Sequence, residues 1–338
     1  MNPNVPYFLR RVPGCLAAAG LVLGLGLSAN ALAQDDPTAD VTAEDRPVPA
    51  MMARLADRSL LTDATLANDT FVAVGQRGHI LLSSDGVEWE QVPVPANSTL
   101  TAVDFADDQN GWAGGHDATL LRTRDGGRTW ELQQYEPLLD LSVLDILFLD
   151  AERGFAIGNF GYFLHTEDGG ETWQEDVVVS PEEHHLHSII QADNGDLLIA
   201  GEFGKVYRST DGGYDWEVIQ TPYAGSFFKI LQASDGRLLV AGLRGNVFVS
   251  NDMGRSWERF DAGTEFSLYG GNVTEDGEII LVGENARILV TRDNLSAVHQ
   301  YNHPAGTPLT HVIPRADGDY LIFDEEGVRT VESRHLTP

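Results

Sequence analysis

The sequence contains almost no cysteine: Cys15 is the only one among 338 residues. It lies inside an N-terminal apolar segment that we expect to be removed, so the mature chain would have no thiol. Disulfide bonds, cysteine metal sites and cysteine nucleophiles are therefore excluded. With 42% hydrophobic residues, the chain can bury a large core and does not need disulfides for stability.

Positive charge is also scarce, because 22 Lys and Arg face 51 Asp and Glu, for a formal net charge of −29. Such a surface repels nucleic acid and anionic lipid, so we expect no nucleic-acid partner. Lys205 and Lys229 are the only lysines, and nearly all positive charge is therefore arginine. Since arginine pairs well with planar carboxylates and aromatic faces, a local arginine cluster would indicate a binding surface.

Long hydrophobic runs are missing except at the N-terminus, where Arg10 and Arg11 precede an apolar stretch from Leu16 to Leu27. This pattern, followed by the small-residue site that ends at Ala33, is typical of a cleaved secretory signal. No later stretch approaches the ~20 apolar residues of a transmembrane helix. The sequence therefore predicts export to the periplasm, with no membrane insertion after cleavage.

What the sequence has in abundance is repetition. A turn of the form Ser/Thr-x-Asp-x-Gly-x-x-Trp recurs with its aspartates 40, 43, 43, 41 and 41 residues apart, the last copy having lost Gly and Trp. Ten residues before each aspartate a glycine ends an apolar run; these are Gly75, Gly115, Gly158, Gly201, Gly242 and Gly283, and Phe323 holds the seventh place. Asn-Gly or Asp-Gly pairs, preferred in two-residue hairpins, recur every 41 residues from Asn194 to Gly318.

These landmarks predict four antiparallel strands in each unit of about 41 residues, which is the pattern of a β-propeller blade. We therefore predict an all-β, seven-bladed propeller over 50–338, after a signal at 1–33 and a disordered leader at 34–49. A β-solenoid or a sandwich is the competing architecture. The last unit lacks a Trp-bearing strand, and we expect the segment from Ala50 to Arg58 to supply that outer strand and close the ring.

The recurring turn resembles the Asp-box, also called the bacterial neuraminidase repeat; Thr123 to Trp130 and Thr166 to Trp173 match it well. Together with the spacing and the Gly-x-x-Gly turns, it resembles the photosystem II assembly and stability factor family over about Leu60 to Arg334. The units at Gly201–Gly204 and Gly242–Gly245 look like the family's bacterial branch. The resemblance implies an exported propeller that assists a membrane-protein complex. Members of that branch are often encoded beside resistance-nodulation-division type exporters, which makes such an exporter the expected partner.

We interpret the Asp-box turns as structural, because one aspartate in each turn can accept backbone N–H groups while the tryptophan packs between blades. Calcium binding is the alternative, but it needs several oxygen ligands in one loop. The residues assigned this structural role are Asp85, Trp89, Asp125, Trp130, Asp168, Trp173, Asp211, Trp216, Asp252 and Trp257. The first of these turns is one residue short. We expect no cofactor.

The Gly-x-x-Gly turns and the links between blades share one face of a propeller, which we call the Gly-turn face; the Asp-box turns lie on the other. The glycines repeat while the residues between them vary, as expected for a scaffold that carries a site. The densest group of polar and aromatic residues falls in blades four and five. The predicted binding residues are Arg244, Glu202, Phe203, Tyr223, Phe227, Phe228, His185 and His187.

His185 and His187 are two residues apart and would share one side of a strand, so they could bind zinc together with Glu183. Without a clear fourth ligand, the alternative interpretation is a polar strand entry, and we predict no metal site. Sialidases need a cluster of arginines for the substrate carboxylate, and their Phe/Tyr-Arg-Ile-Pro motif is absent from this sequence.

Three functions remain open at this point. The first is a non-catalytic protein that binds and helps assemble or operate a membrane-protein complex through the Gly-turn face. The second is a sialidase-like glycoside hydrolase, which needs converging acids and arginines over the central channel. The third is a small-molecule or lipid-binding accessory subunit, which needs a closed apolar pocket. We expect the first, and no enzymatic activity.

Overall fold

The computed structural model of the chain describes residues 46–179, 183–292, 295 and 297–336. The predicted signal at 1–33, most of the predicted leader and Asp293 of the sixth turn lie outside the described residues. No helix in the described ranges is both long and apolar enough to cross a bilayer.

Seven antiparallel sheets follow one another along the described chain, which confirms the predicted seven-bladed propeller. Six blades have four strands and the last has three. In chain order the strands are β1 Leu61–Ala67, β2 Thr70–Gly75, β3 Ile80–Ser83 and β4 Glu90–Gln91; β5 Leu100–Phe105, β6 Gly111–Gly115, β7 Leu120–Thr123 and β8 Glu131–Gln134; β9 Val143–Phe148, β10 Gly154–Gly158, β11 Phe163–Thr166 and β12 Gln174–Glu175; β13 Leu186–Gln191, β14 Leu197–Gly201, β15 Lys205–Ser209 and β16 Glu217–Gln220; β17 Phe227–Gln232, β18 Leu238–Gly242, β19 Val247–Ser250 and β20 Glu258–Phe260; β21 Leu268–Val273, β22 Ile279–Gly283, β23 Arg287–Arg292 and β24 Ala297–Asn302; β25 Leu309–Pro314, β26 Tyr320–Asp324 and β27 Gly327–Val331.

The second strand of each blade forms the core. Runs such as β14 and β18 are buried at every position, because both of their faces pack against neighbouring blades. The buried apolar residues of the described chain form seven clusters, one at each blade–blade interface. The strongest packing is therefore between blades, which holds the ring rigid.

The ring closes by side-chain packing between the last blade and the first. Leu321 and Phe323 of blade seven share a cluster with Leu61 of blade one, and Thr310 Oγ1 donates a hydrogen bond to the Leu61 carbonyl at 2.7 Å. Ala56 also belongs to this cluster. Closure thus joins β25 and β26 to β1 without a shared sheet.

The prediction that the segment from Ala50 to Arg58 adds a fourth strand to blade seven is wrong. The segment forms a 3-10 turn at Ala56–Arg58 beside β27, while the Ala50 N–H donates to Val94 O of blade one at 2.9 Å. Two of its backbone groups are hydrogen-bonded by the Gln91 side chain. Since these contacts tie the segment to blade one, it does not pair along β27.

The remaining regular elements are short 3-10 turns, and the described residues contain no α-helix. Three of them are Gly-x-x-Gly turns, and a fourth is the corresponding turn of blade six, in which Ala286 replaces the second glycine. The bounds of all of these turns are Ala56–Arg58, Gln76–Gly78, Pro137–Leu139, Asn159–Gly161, Leu243–Gly245, Glu284–Ala286 and Ser333–His335.

Candidate functional site

The Gly-x-x-Gly turns hold bulky side chains in an uncommon backbone conformation. The residue before the second glycine is left-handed in several blades, with φ of +53° at Phe160, +56° at Phe203 and +57° at Arg244. Phe160 and Phe203 are more than half exposed, at 53% and 54%. The same left-handed conformation recurs at Arg77, Asp117 and Asn285, so it is the shared geometry of these turns, which projects the variable residue from the face.

The first glycine of these turns is required by a close approach of the neighbouring backbone. A Cβ at Gly242 would collide with the carbonyl oxygen of Ser226, at the point where the link from blade four enters blade five. The turn and the inter-blade link are thereby packed together. This contact places the variable turn residues beside the first residues of each inner strand.

Each inner strand begins with a bulge that leaves one residue outside the ladder with the second strand. In blades one, two and seven this residue is a threonine whose hydroxyl binds a carbonyl of the next inner strand. In blades four, five and six it is His187, Phe228 and Tyr269. Three consecutive blades therefore carry an aromatic ring where others carry an inter-blade hydrogen bond.

These rings form a continuous row across four blades on the Gly-turn face, which we call the aromatic row. Phe160 of blade three lies 5.0 Å from His185, measured between ring centroids, and His185 lies 5.9 Å from His187. His187 is 5.1 Å from Phe228, and Phe228 is 5.6 Å from Tyr269. Tyr269 is 37% exposed, so the row has accessible rings at both ends.

A groove between blades five and six continues the surface beyond Tyr269. It has a volume of about 620 Å³ and includes Arg244 and Arg287 in its lining, with Ser267 and Glu284 between them. The Arg287 guanidinium lies 5.1 Å from the Phe266 ring, a cation–π contact. In a chain this short of positive charge, two arginines in one groove form a local site for a carboxylate. We call it the arginine groove.

The lining of the arginine groove contains two acids, Glu265 and Glu284, beside its two arginines, and the groove is open to solvent. It does not resemble the closed apolar pocket that a small-molecule or lipid carrier needs. The groove suits the charged end or an acidic side chain of a partner.

His185, His187 and Glu202 converge at the start of blade four, with one potential ligand atom of each within 4.8 Å of the others. The Glu202 carboxylate accepts a hydrogen bond from the backbone N–H of His185 at 3.0 Å. Burial lowers the pKa of His187 to about 4, so its imidazole is neutral at neutral pH. The carboxylate that joins the two histidines is Glu202, whereas the sequence suggested Glu183.

Two further predicted binding residues lie in less exposed places. Phe227 has no exposed surface and packs in the core against Phe248, with ring centroids 5.7 Å apart, so its assignment as a binding residue is wrong. The bulge turns its neighbour Phe228 outward instead. Tyr223 is half-buried, and its hydroxyl donates to Leu243 O at 3.1 Å, which supports the turn that carries Arg244.

The Asp-box turns on the opposite face use their aspartates within the turn itself. In blade two, Asp125 accepts hydrogen bonds from the Thr129 N–H and hydroxyl at 2.9 and 2.6 Å. The Thr123 hydroxyl accepts the Gly127 N–H at 3.0 Å, and the Trp130 indole donates to Gly127 O at 2.8 Å. The aspartate's oxygens are thus engaged in holding the turn.

The electrostatics of these turns agree with their hydrogen bonds. The Thr172 hydroxyl and N–H, which both donate to Asp168, hold the pKa of this carboxyl below its usual range. Trp173 is an exception among the box tryptophans, because its buried indole nitrogen has no hydrogen-bond partner. Its ring still packs against Phe148 of the same blade, with centroids 5.8 Å apart.

The central cavity, about 770 Å³, contains a row of acids that the sequence analysis did not single out. Asp63, Asp104 and Asp145 each accept a backbone N–H from the inner strand of the next blade, at 2.9, 2.7 and 2.9 Å. The donors are Val103, Phe148 and Ile189. Each carboxylate therefore fastens its blade to the following one.

Two basic groups lie opposite these acids, Lys229 and His311. The His311 Nδ1 lies 3.1 Å from the Asp63 carboxylate. Burial, reinforced by the Lys229 charge, lowers the pKa of His311 to about 3, so the ring is neutral and donates its N–H to Asp63. Arg315 is the one arginine in the described lining and pairs with Asp317 at 2.8 Å. The described lining thus lacks the arginine cluster that a sialidase requires.

Replacing Asp104 by Asn should make the protein more stable at alkaline pH. Burial, with the nearby Asp145 and Asp63, raises the pKa of Asp104 from 3.8 to about 6. The folded state therefore binds this proton more tightly than the unfolded state, and the resulting stability is present below pH 4 and lost as the pH rises through 6. Asn keeps a side-chain oxygen that can accept the Phe148 N–H. Because solvent in the channel screens part of the cost of burying the ionised carboxylate, we expect the free energy of unfolding at pH 8 to rise by about 1–2 kcal/mol.

Urea unfolding of both proteins between pH 4.5 and 8 checks this expectation. The difference between Asp104→Asn and wild type should shrink steadily toward pH 4.5. Asp108→Asn in the same blade is the control, since Asp108 is exposed and its substitution should leave the pH profile unchanged. A constant difference across the range would show that Asp104 does not carry the raised pKa.

Sequence spacing contains a signal for Tyr269 and for the acids of the central cavity, which the sequence analysis did not single out. His187, Phe228 and Tyr269 are 41 residues apart, as are Asp63 and Asp104. Aligning the repeats on the residues before each strand would have placed Tyr269 with Phe228. The alignment would not have shown that both carboxylates turn toward the next blade, because the two aspartates occupy different places in their strands. Asp63 directly follows the bulge of β1, whereas Asp104 lies two residues further from the bulge of β5.

The fold and the arrangement of its two faces define a class of protein: a closed β-propeller with Asp-box turns on one face and a variable surface on the other. Within this class the comparison with known families is specific. The family model described as photosynthesis system II assembly factor YCF48 matches residues 81–308, about two thirds of the chain. The chain belongs to this family.

Individual relatives match it less extensively. The chain is 45% identical over 53 residues to the chloroplastic photosystem II stability/assembly factor HCF136 of Cyanidioschyzon merolae, a match that covers 15% of this chain and 12% of that protein. A solved structure titled "YCF48 bound to D1 peptide" superposes with a TM-score of 0.67 at 18% identity, over 84% of this chain and 96% of that one. A streptogramin B lyase structure has a TM-score of 0.71 at 13% identity, over 81% of this chain and 93% of that one. At these identities the structural likenesses show the fold alone.

Proposed function

We propose that this protein is a non-catalytic binding protein of the periplasm, which holds a segment of a membrane-protein complex against its Gly-turn face and helps to assemble or operate that complex. The observation that carries the proposal is the aromatic row together with the arginine groove beside it. Rings from four blades and two arginines on one face form a recognition surface.

The chemistry of this surface suits an extended peptide. Apolar or aromatic side chains of the peptide would pack on exposed rings such as Phe160 and Tyr269. An acidic side chain or a terminal carboxylate would pair with Arg244 and Arg287, because a guanidinium can bind a carboxylate through two hydrogen bonds.

The relatives support the kind of partner. A solved member with the same fold is titled as bound to a D1 peptide, which is a statement about that protein. For this chain we propose a peptide segment of an envelope membrane protein, and an exporter of the resistance-nodulation-division type as the specific partner to test. The predicted signal at 1–33 supports the periplasmic location.

Two observations argue against hydrolysis. The carboxylates of the acids in the central cavity accept hydrogen bonds from backbone N–H groups of the next blade. The one arginine in the described lining of that cavity is paired with an aspartate. The cavity therefore braces the ring, and the Gly-turn face remains the surface for a partner.

The test is a binding experiment with two charge reversals in the same blade. Tagged protein, exported in its own host, is used to capture complexes from detergent-solubilised envelopes. Captured proteins are identified by mass spectrometry, and synthetic peptides covering their periplasmic segments are titrated. We expect Arg244→Glu to raise Kd at least about tenfold, the loss typical of a central interface arginine.

Arg255→Glu is the matched control, because Arg255 is exposed in the Asp-box turn of the same blade, on the opposite face. It should leave Kd within about twofold, as expected for a charge outside the interface. Equal binding by wild type and Arg244→Glu would refute docking at the arginine groove. Absence of any captured membrane protein would contradict the assembly role itself.

A further inference from the structure

The histidine pair of the aromatic row belongs to a second arrangement that goes beyond peptide binding. His185 precedes β13 and His187 occupies its bulge, so the two rings lie on the same side of the chain. Glu202 follows Gly201, which pairs with Leu186 between them. The fold thus brings two residues of one strand and one residue of the neighbouring turn to a single point.

We propose that His185, His187 and Glu202 bind one zinc ion. One potential ligand atom of each lies within 4.8 Å of the other two, which small side-chain rotations convert into a coordination sphere. Two imidazole nitrogens and one carboxylate oxygen form a common zinc ligand set. Calcium and magnesium prefer all-oxygen sites, so a borderline metal such as zinc fits better.

The three side chains are already held in place by their surroundings. The backbone N–H of His185 donates a hydrogen bond to one oxygen of the Glu202 carboxylate at 3.0 Å and holds it in place. The His185 ring packs edge-on against Phe160, and the His187 ring packs against Phe228. Such support reduces the entropy lost when a metal binds, as neighbours of known metal ligands do.

One atom in this group has a specific need for a partner. The Nε2 atom of His187 is buried and makes no hydrogen bond in the structure. A buried polar nitrogen without a partner is costly, and coordination by this ring would relieve such a cost. The chain's strongly negative charge also concentrates divalent cations around it.

With three ligands from the protein, the zinc would keep one position open toward the Gly-turn face. Water, or a carboxylate or imidazole of a bound partner, would complete the tetrahedron. The metal would fix the middle of the aromatic row, where Phe160 and Phe228 flank the histidines. Zinc binding itself needs no partner, so it can be measured on the isolated protein.

Calorimetric titration of zinc chloride into tag-free, chelator-treated protein tests the proposal. We expect one zinc per chain with a micromolar or tighter Kd, and a rise in Tm on binding. Cobalt(II) should give the intense visible absorption of a tetrahedral site. His185→Ala and Glu202→Gln should each weaken zinc binding at least about tenfold, since each removes one ligand.

His184→Ala is the matched control, because His184 is adjacent in sequence but lies outside the three-residue group, its Nδ1 3.4 Å from Lys205 Nζ. It should bind zinc as wild type does. Circular dichroism and the metal-free Tm establish that each variant is folded. Binding only at millimolar zinc, or binding equally strong in His185→Ala and Glu202→Gln, would overturn the proposal.

Discussion

Replacing Trp112 by Ala is expected to lower the free energy of unfolding by about 3–5 kcal/mol, the usual cost of truncating a buried tryptophan. Trp112 is the one tryptophan outside the Asp-box turns, and it is fully buried in β6. Its ring stacks on Phe148 of blade three, and its indole N–H donates to Gly169 O, in the Asp-box turn of that blade, at 2.9 Å. One side chain thus joins two blades through packing and a hydrogen bond.

Urea denaturation of Trp112→Ala and Trp112→Phe separates these two contributions. Phe retains much of the buried ring but loses the bond to Gly169 O, so we expect it to cost about 1–3 kcal/mol. Leu138→Ala serves as the control, since Leu138 is 81% exposed and its loss should change stability by less than about 0.5 kcal/mol. A Trp112→Ala protein as stable as wild type would show that this interface does not depend on the stacked pair.

Replacing Asp196 by Ala should destabilise the protein to a similar extent, by about 3–5 kcal/mol. Asp196 follows the Asn194-Gly195 hairpin turn of blade four, and its carboxylate accepts two hydrogen bonds from Arg208, at 2.9 and 2.5 Å. The side chains are 9% and 5% exposed. Removing the carboxylate leaves the buried guanidinium with only the exposed Glu217 as an acidic partner, and the loss of its buried counter-charge is the main cost.

Two further variants make this prediction specific. Arg208 also pairs with Glu217, which is 59% exposed, so Glu217→Ala should cost no more than about 1 kcal/mol. Combining Asp196→Ala with Arg208→Met should recover a large part of the lost stability, because it removes the stranded charge. Thermal and urea unfolding would measure all three. If the double variant were less stable than Asp196→Ala, the ion pair would not be the source of the loss.

The turns on the two faces of the propeller use their side chains differently. On one face, Asp125 and its counterparts use their carboxylates within their own turns. On the other face, the turn residues project outward, as Phe160 and Phe203 do. A mutation in an Asp-box turn should therefore affect stability first, whereas one at Arg244 should affect binding.

The repeat pattern predicted much of this architecture correctly. Glycines at fixed spacing, Asx-Gly pairs and apolar runs each correspond to a turn or a strand, since local backbone preferences decide these features. The exposure of the turn residues was also predictable, as at Phe203 and Arg244, while their part in binding stays a prediction. The Gly-turn face could be named before any side-chain contact was known.

Other predictions failed for reasons that lie outside local sequence. Phe227 and Phe228 are adjacent and alike, yet the bulge at the start of β17 buries the first fully and leaves the second half-buried. The segment from Ala50 to Arg58 had the length for a closing strand, but its backbone groups bind Gln91 and Val94 of blade one. The partner that a backbone group finds depends on which segments the closed ring brings close.

The sequence by itself determined the number of blades, the position of nearly every turn and the face that carries the variable turn residues, because repeats of about 41 residues with glycine and aspartate at fixed places leave few alternative folds. Only the tertiary structure decided which side chains meet. It assembled the aromatic row from four blades, joined His185 and His187 to Glu202, and turned the acids of the central cavity toward the next blade. Such contacts depend on bulge geometry and on the closure of the ring, which bring together residues that are distant in the chain.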